Sequence, residues 1–318
     1  MSGANESHLS TVYDVLIEGG YFCDLIFTGL PGMPRLGAEI VGAGFEMVPG
    51  ANFYYALAFK RLGLRVGWSC DFGNDLFSRF VLDMARREGL DDSLFRVHDF
   101  PLRCLTVSLS FPNERAFVTY TDEVAGPPLL ALVRQYRPRC VLLGGLAFGP
   151  DHLELVTTAH EVGALVYMDC QSHQTTLDNP QVIESLRAVD IFAPNEGEAL
   201  ALTGATTVTA ALARLAELTG LVIIKRGSRG AIAQTSQQVI CAPGLKVEAF
   251  DTTGAGDCFN TGFLYGYLRG DPLETCLKYG NICGGLSTTD HGAAAAPTAA
   301  EVEVWLQRYP ELVNGAVR

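Results

Sequence analysis

Two glycines and an aspartate stand directly before an apolar segment near the C-terminal end of the chain. In "DTTGAGDCFNTGF", residues 251–263, Gly254 and Gly256 come just before Asp257, and the segment after them has the composition of a buried helix. Glycine lets backbone N–H groups approach a ligand, and a helix N-terminus adds about half a positive charge, so the pattern predicts an anion site. A carboxylate beside a bound phosphate is useful if it takes a proton from an attacking hydroxyl. The motif therefore favours phosphoryl transfer to an alcohol.

A structural explanation of the motif stays open, because Asp is a favoured capping residue at helix N-termini and glycine is common in turns. Three other phosphate motifs are absent from the sequence. There is no Gly-Lys dipeptide, which excludes a P-loop, and no H-R-D catalytic loop. Phe259 stands where a dinucleotide fingerprint needs a third Gly or Ala.

Composition narrows the classes of partner. The chain has 318 residues, 48% of them hydrophobic, and a net charge of −12. This length suits one large α/β domain or two ordinary ones, and the negative charge argues against nucleic acid or an anionic membrane as the main partner. The N-terminal "MSGANESHLS" lacks the features of a signal peptide, and no apolar run reaches about 18 residues, so we expect a cytoplasmic protein.

Cysteine and histidine usage points to neither disulfides nor zinc. The nine cysteines form no C-x-x-C pair, and the six histidines show no H-x-x-x-H spacing. Several cysteines lie within apolar segments, where cysteine behaves as a small hydrophobic residue. We therefore expect reduced, structural thiols and no zinc site.

Short apolar runs alternate with helical patterns along the chain. This alternation predicts an α/β fold in which helices cover both faces of a mostly parallel sheet. The candidate strands are 14–19, 65–70, 140–145, 164–169, 191–194 and 221–225, and residues 245–250 are predicted to form another strand before the opening motif.

Two further segments read as strand after strand without an intervening helix. They span 21–48 and 102–121, and the second has polar residues 112–114 at its turn. A small β layer projecting from the α/β body explains both, and a ligand is expected beneath it.

The opening motif resembles the C-terminal signature D-T-x-G-A-G-D of the ribokinase-like (PfkB) carbohydrate kinases. The resemblance implies a single three-layer domain over residues 1–318, with a β-sheet lid from about 21–48 and 102–121. It also implies ATP-dependent phosphorylation of a hydroxymethyl group of a sugar or sugar-like molecule. By the same resemblance Asp257 is the catalytic base, and Gly254, Ala255 and Gly256 form the anion hole.

Further motifs in the family's order imply nucleotide and metal contacts. "NEGE" resembles the N-x-x-E segment, "KRGSRG" the K/T-x-G-x-x-G turn, and "LKYGNICGGLSTTDHGAA" the adenine-side helix and loop. The residues so assigned to ATP are Asn195, Glu198, Lys225, Gly227, Ser228, Gly230, Asn281 and Gly292, with Glu198 also holding Mg²⁺ through water and Asp251 and Thr253 a potential K⁺ site. Structural alternatives stay open: a plain helix start, a hairpin over 221–234, close helix packing at the glycines 280, 284 and 285, and ordinary turn residues.

The N-terminal half resembles the family more loosely. Asp24 and Asn52 fall where relatives bind sugar hydroxyls, but Met47 and Val48 replace an expected Gly-Gly pair, and Ser78 replaces a turn glycine. The acceptor therefore stays open between a sugar and a nucleoside. A catalytically silent sugar or nucleotide sensor is the alternative from another class, and the family fold also allows a homodimer through the lid.

Overall fold

The computed structural model describes residues 13–111, 115–123, 129–171, 175–290 and 295–314. Gly292 and the predicted turn at 112–114 lie outside these residues. The strands are β1 Val15–Glu18, β2 Tyr21–Thr28, β3 Gly44–Ala51, β4 Val66–Phe72, β5 Phe95–Val97, β6 Cys104–Ser110, β7 Arg115–Thr121, β8 Cys140–Leu143, β9 Leu165–Asp169, β10 Ile191–Ala193, β11 Leu221–Lys225, β12 Ala231–Gln234 and β13 Val239–Ala242. The helices are α1 Asn52–Arg61, α2 Leu76–Arg87, α3 Leu129–Tyr136, α4 Pro150–Glu161, α5 Pro180–Ala188, α6 Glu196–Thr203, α7 Val208–Ala216, α8 Ala255–Arg269, α9 Leu273–Ser287 and α10 Ala299–Asn314.

A large sheet forms the middle layer, in the order β13-β12-β11-β10-β9-β8-β1-β4-β5. The pairs from β11 to β5 are parallel, and β12 and β13 add an antiparallel edge. All six predicted strands belong to this sheet, so the mostly parallel α/β architecture is confirmed.

Two hydrophobic cores lie on opposite faces of the sheet. Val15 and Ile17 of β1 face the core shared with α1, α2, α8 and α9, whereas Leu16 faces the core that includes α4, α5 and α7. Alternating side chains that are all apolar are expected for a parallel strand covered on both sides. The molecule is thus the predicted three-layer structure.

Helices α8 and α9 pack closely because glycines line their interface. A Cβ atom on Gly280 would lie 2.9 Å from the Phe259 ring, and one on Gly284 would lie 2.9 Å from the carbonyl oxygen of Ala255. The structural alternative of close helix packing is therefore confirmed at these positions. This packing fixes the N-terminal end of α8, where the opening motif begins the helix.

A second sheet stands apart from the large one, in the order β3-β2-β6-β7. It consists of the two predicted lid segments. Ser78 of α2 joins it to the body, since its hydroxyl lies 2.6 Å from the Tyr21 hydroxyl and 3.1 Å from the carbonyl oxygen of Leu102. The same hydroxyl accepts the Gly73 N–H at 2.7 Å, so the serine that replaces a turn glycine has a structural role.

The strand predicted over 245–250 is wrong. This segment belongs to neither sheet. At its end, the N–H groups of Phe250 and Asp251 donate to the carbonyl oxygen of Thr288 instead of to a strand. Leu245, Val247 and Ala249 line a cavity, so the alternating pattern reflects a cavity wall instead of strand pairing.

The cysteine side chains lie mostly in the interior. All nine cysteines are unpaired, and eight of them are buried. None of the described helices is by itself long and apolar enough to cross a membrane, although the bent pair α6 and α7 meets the length and composition limits jointly.

Candidate active site

One cavity of about 650 Å³ opens at the carboxyl ends of the parallel strands, where ligands of open α/β sheets usually bind. Three lining residues lie there because they stand where strands end: Asp169 ends β9, Asn195 follows β10, and Lys225 ends β11. Eleven of the predicted residues line this cavity although they span almost 90 positions of sequence: Asn195, Glu198, Lys225, Gly227, Ser228, Gly230, Gly254, Ala255, Gly256, Asp257 and Asn281. Their roles stay predictions, but their grouping is a property of the fold.

The start of α8 has the backbone that an anion site needs. Gly254 precedes the helix with φ of 75°, and a Cβ atom there would lie 2.8 Å from the Tyr54 ring, so only glycine fits. The first N–H groups of a helix have no acceptor within the helix, and the helix dipole adds positive charge. Of these groups in α8, the Ala255 N–H donates at 3.3 Å to the carbonyl oxygen of Thr252, in the turn before the helix. The N-terminal end of α8 is therefore suited to bind a phosphate in the cavity.

Asp257 lies in the first turn of α8 and lines the cavity. The pKa of Asp257 is raised to about 7, first by burial and then by the Asp169 carboxylate, while the Lys225 ammonium opposes the rise. A carboxyl group with a pKa near the pH of the cell can both accept and hold a proton, which is the property of a general base.

A buried polar cluster that sequence reasoning missed lies beside Asp257. Lys225 Nζ donates to both carboxylate oxygens of Asp169 at 2.8 Å, and Asn260 Nδ2 donates to Asp169 Oδ2 at 2.6 Å. The hydroxyls of Tyr55 and Tyr167 complete the cluster by contacting the Asn260 amide, at 2.8 and 2.7 Å. The available signal was Asp169 itself, a carboxylate at the end of a strand that is otherwise apolar.

Asn195 and Glu198 form a capping box at the start of α6. The Glu198 N–H donates to Asn195 Oδ1 at 2.9 Å, and the Asn195 N–H donates to Glu198 Oε2 at 2.8 Å. The helix-start alternative is thus confirmed, and both residues also line the cavity.

The described residues contain no group of three or more His, Cys, Asp or Glu that is able to hold a metal ion. Mg²⁺ commonly uses one or two carboxylates together with water and substrate phosphates, so the Glu198 carboxylate fits that pattern.

The predicted nucleotide turn is also a hairpin, because β11 and β12 pair antiparallel around Gly227–Arg229. Gly230 has φ of 83°, and a Cβ atom there would lie 2.1 Å from the carbonyl oxygen of Ala242. Asn281 supports the same wall, since its Nδ2 donates to the carbonyl oxygens of Ala242 and Pro243 at 3.0 and 2.9 Å. These residues shape the cavity edge, whatever further contacts a ligand makes.

Asp24 of β2 is not among the residues that line the cavity, but both it and Asp257 act electrostatically on Tyr54. Burial raises the pKa of Asp24 to about 6, and the Asp251 carboxylate contributes. Burial, together with the charges of Asp24, Asp251 and Asp257, raises the pKa of the Tyr54 phenol well above its usual value. A Cβ atom on Gly50 would lie 2.5 Å from Asp24 Oδ2, so glycine at this position leaves room for the Asp24 carboxylate.

Asn52 begins α1 near the carboxyl ends of β1 and β8. A Cβ atom on Gly19, just after β1, would lie 2.3 Å from Asn52 Nδ2, and one on Gly144, just after β8, would lie 3.4 Å from Asn52 Oδ1. The two glycines make room for the amide over the ends of these strands.

Asp251 and Thr253, predicted as a potential K⁺ site, bind an arginine. Arg115 of β7 donates from Nη1 to Asp251 Oδ1 and to Thr253 Oγ1, both at 3.1 Å. The pair therefore does not fit a monovalent cation while Arg115 holds this position. The contact also joins the edge of the small sheet to the turn before α8.

Residues 49–299 match the model of the pfkB family of carbohydrate kinases. The chain belongs to that family. A 5-dehydro-2-deoxygluconokinase of Bacillus licheniformis is 29% identical over 281 residues, which cover 81% of this chain and 86% of the relative. As a pfkB member the protein is a kinase of sugars or nucleosides.

Solved structures of low sequence identity share the fold. A ribokinase of Arabidopsis thaliana complexed with ribose and ATP has a TM-score of 0.77 at 20% identity, covering 93% of this chain and 99% of that one. A putative ribokinase II from E. coli in complex with ATP and Mg²⁺ has a TM-score of 0.74 at 23% identity, covering 93% and 99%. The ribokinase-like fold is confirmed.

Proposed function

We propose that this protein transfers the terminal phosphoryl group of ATP to a hydroxymethyl group of a sugar or sugar-like molecule. Family membership and the fold shared with proteins solved with ATP support the donor. The observation that carries the proposal is Asp257, whose carboxyl group has a pKa near 7 at the N-terminal end of α8. A base beside a helix N-terminus combines proton removal with stabilisation of the phosphate charge.

Each residue has a distinct task in this reaction. Asp257 removes the proton from the acceptor hydroxyl, and the N–H groups of Gly254, Ala255 and Gly256 bind the oxygens of the transferred group. Mg²⁺ supplies charge neutralisation on the phosphates when it is bound, and Glu198 with Asn195 would hold it through water. Asp24 and Asn52 bind the acceptor hydroxyls from the side of the small sheet, because an amide both donates and accepts and a carboxylate accepts two hydroxyl protons.

A panel assay tests this proposal. ADP release is measured with neutral sugars, sugar acids and nucleosides at fixed MgATP, and phosphorylated products are identified by mass spectrometry. A phosphorylated sugar supports the proposal, and a phosphorylated nucleoside moves the acceptor to that class. Sugar binding without any ADP release across the panel favours a silent sensor and contradicts the proposed reaction.

Two further expectations belong to this proposal. K⁺ binding at Asp251 and Thr253 requires displacement of Arg115. Comparing the rate in K⁺ salts with the rate in tetramethylammonium salts tests whether K⁺ takes the place of the arginine. A homodimer through the small sheet is supported by the exposed Phe117 and Val118 of β7. Sedimentation of the wild type and of a Phe117→Ser variant measures whether the protein is dimeric and whether Phe117 contributes to the dimer.

A further inference from the structure

The ion pair between Lys225 and Asp169 lies at the floor of the cavity, against the anion hole. The side chains are only 11% and 7% exposed. A Cβ atom on Gly256 would lie 3.6 Å from Lys225 Nζ, and apart from the residues on either side of Gly256 and the nearby backbone of α8, no other described atom comes within 4 Å of that point. Apart from the side chains of its chain neighbours Ala255 and Asp257, the ammonium group is therefore the side-chain group nearest to Gly256.

We propose that Lys225 is a catalytic residue that neutralises the transferred phosphoryl group, and that Asp169 and Asn260 are positioning residues that hold its ammonium group there. This inference rests on the proposed function and adds a residue set to it. The sequence motifs assign no role to Asp169, and they assign none to Asn260 although it lies within the opening motif.

The hydrogen bonds of Asp169 fix both of its oxygens. Oδ1 accepts from Lys225 Nζ at 2.8 Å and from the Cys170 N–H at 2.7 Å, and Oδ2 accepts from Lys225 at 2.8 Å and from Asn260 Nδ2 at 2.6 Å. Tyr55 adds a longer contact to Oδ2 at 3.3 Å. A carboxylate held by this many donors has one orientation, so the bound ammonium has one position.

Asn260 is fully buried and is itself fixed by two tyrosines. Its Oδ1 accepts from the Tyr167 hydroxyl at 2.7 Å and from Lys225 Nζ at 3.3 Å, and its Nδ2 donates to the Tyr55 hydroxyl at 2.8 Å. The 3.3 Å contact is the longest of the three that Lys225 makes. A phosphoryl oxygen at Gly256 would replace it while both bonds to Asp169 remain.

Stability does not account for this cluster. A buried ion pair frequently contributes no more than an apolar replacement of similar volume, because desolvation offsets the Coulomb attraction. Ionised groups placed at a cavity floor next to a base with a raised pKa are a recognised sign of a functional site.

The cluster also acts on the base. The groups that face Asp257 are Asp169 of β9, Lys225 of β11, Tyr55 of α1 and Glu198 of α6. After burial, the Asp169 charge raises the pKa of Asp257, while the Lys225 charge and a hydrogen bond from Tyr55 lower it. The pair of Lys225 and Asp169 therefore acts on the phosphoryl group and also influences the pKa of Asp257, which lies near neutral pH.

Nucleotide binding tests the proposal without any acceptor. Calorimetry with Mg²⁺ compares the non-hydrolysable ATP analogue AMP-PNP with ADP. Lys225→Met should weaken AMP-PNP binding at least about 10-fold and ADP binding less than about threefold, because one charge-assisted hydrogen bond to the terminal phosphoryl is lost. Lys225→Arg should keep most of the wild-type ratio of AMP-PNP affinity to ADP affinity. Lys60→Met, at an exposed lysine of α1, is the matched control and should change neither affinity.

Folding is controlled by a second variant. Lys225→Met leaves the Asp169 charge buried and unpaired, whereas Lys225→Met with Asp169→Asn removes both charges. The catalytic assignment stands if the double variant has the wild-type unfolding temperature but its affinity for AMP-PNP relative to ADP stays as low as that of Lys225→Met. A double variant that regains wild-type preference makes the pair purely structural and overturns it.

Asp169→Asn and Asn260→Ser test the positioning role. With any acceptor found in the panel, each should lower kcat while leaving the KM of the acceptor within about twofold, since neither is assigned a contact to the acceptor. A rise in KM with unchanged kcat would overturn the assignment. A wild type that binds both nucleotides, with Lys225→Met equal to it, contradicts this inference alone. A wild type that binds neither nucleotide contradicts the proposed function as well.

Discussion

The pH dependence of turnover tests the electrostatics around Asp257. The pKa of this carboxyl group rises from 3.8 to about 7, first because of burial and then because of Asp169. A general base acts only when ionised, so kcat/KM should fall as the pH drops below 7. At one unit below the pKa only about a tenth of the molecules carry the ionised base, which predicts a loss of about 10-fold at pH 6.

Two variants should move this acid limb in opposite directions. Asp169→Asn removes a negative neighbour, so the pKa of Asp257 falls and the limb moves to lower pH. Lys225→Met removes a positive neighbour, so the limb moves to higher pH. A phosphate group also titrates with a pKa of about 6, but ATP is the same in every assay and cancels in the comparison.

The assay is kcat/KM for the acceptor from pH 5 to 9 at saturating MgATP, with Lys60→Met as the control. Shifts of equal sign in both variants, or an acid limb of the wild type near pH 4, would refute this reasoning. Loss of folding alone lowers the amplitude of the profile and does not shift its limb in two directions.

Three other predictions follow from the site. Asp24→Ala should raise the KM of the acceptor roughly 10- to 100-fold and leave the KM of ATP unchanged, since charged hydrogen bonds contribute about 1.5–3 kcal/mol. Gly50→Ala crowds the same carboxylate and should also raise the KM of the acceptor. An equal rise in the KM values of acceptor and ATP would contradict this assignment. Glu198→Gln should increase the Mg²⁺ concentration needed for half-maximal rate, and an unchanged requirement would leave only the capping role. Replacing K⁺ by tetramethylammonium should leave the wild-type rate within about twofold while Arg115 pairs with Asp251, and a rate that depends steeply on K⁺ would show that the cation displaces the arginine.

The fold was predictable because its strands are short apolar runs separated by helical patterns. Six runs predicted strands of the large sheet, and two segments without helices predicted the small one. The pattern over 245–250 misled because a segment whose side chains alternate between a cavity and solvent has the same period as a strand. Periodicity reports which side chains are buried, and it does not report which backbone groups pair.

The grouping of the candidate site residues was predictable where these residues are close in sequence. Gly254 to Asp257 form one uninterrupted segment, so their joint geometry follows from one helix start. The cluster of Asp169, Asn260 and Tyr55 draws one residue each from β9, α8 and α1, and only the folded chain brings them together. Arg115 was missed for the same reason, since 136 positions separate it from Asp251.

The most direct test of the central claim is single-turnover phosphoryl transfer by Asp257→Asn. The amide cannot accept the proton, so kcat should fall at least about 100-fold while AMP-PNP affinity stays within about threefold of the wild type. Asp83→Asn, at an exposed aspartate of α2, is the matched control and should keep full activity. Turnover by Asp257→Asn near the wild-type rate would contradict the assignment of the base, and with it the proposed mechanism.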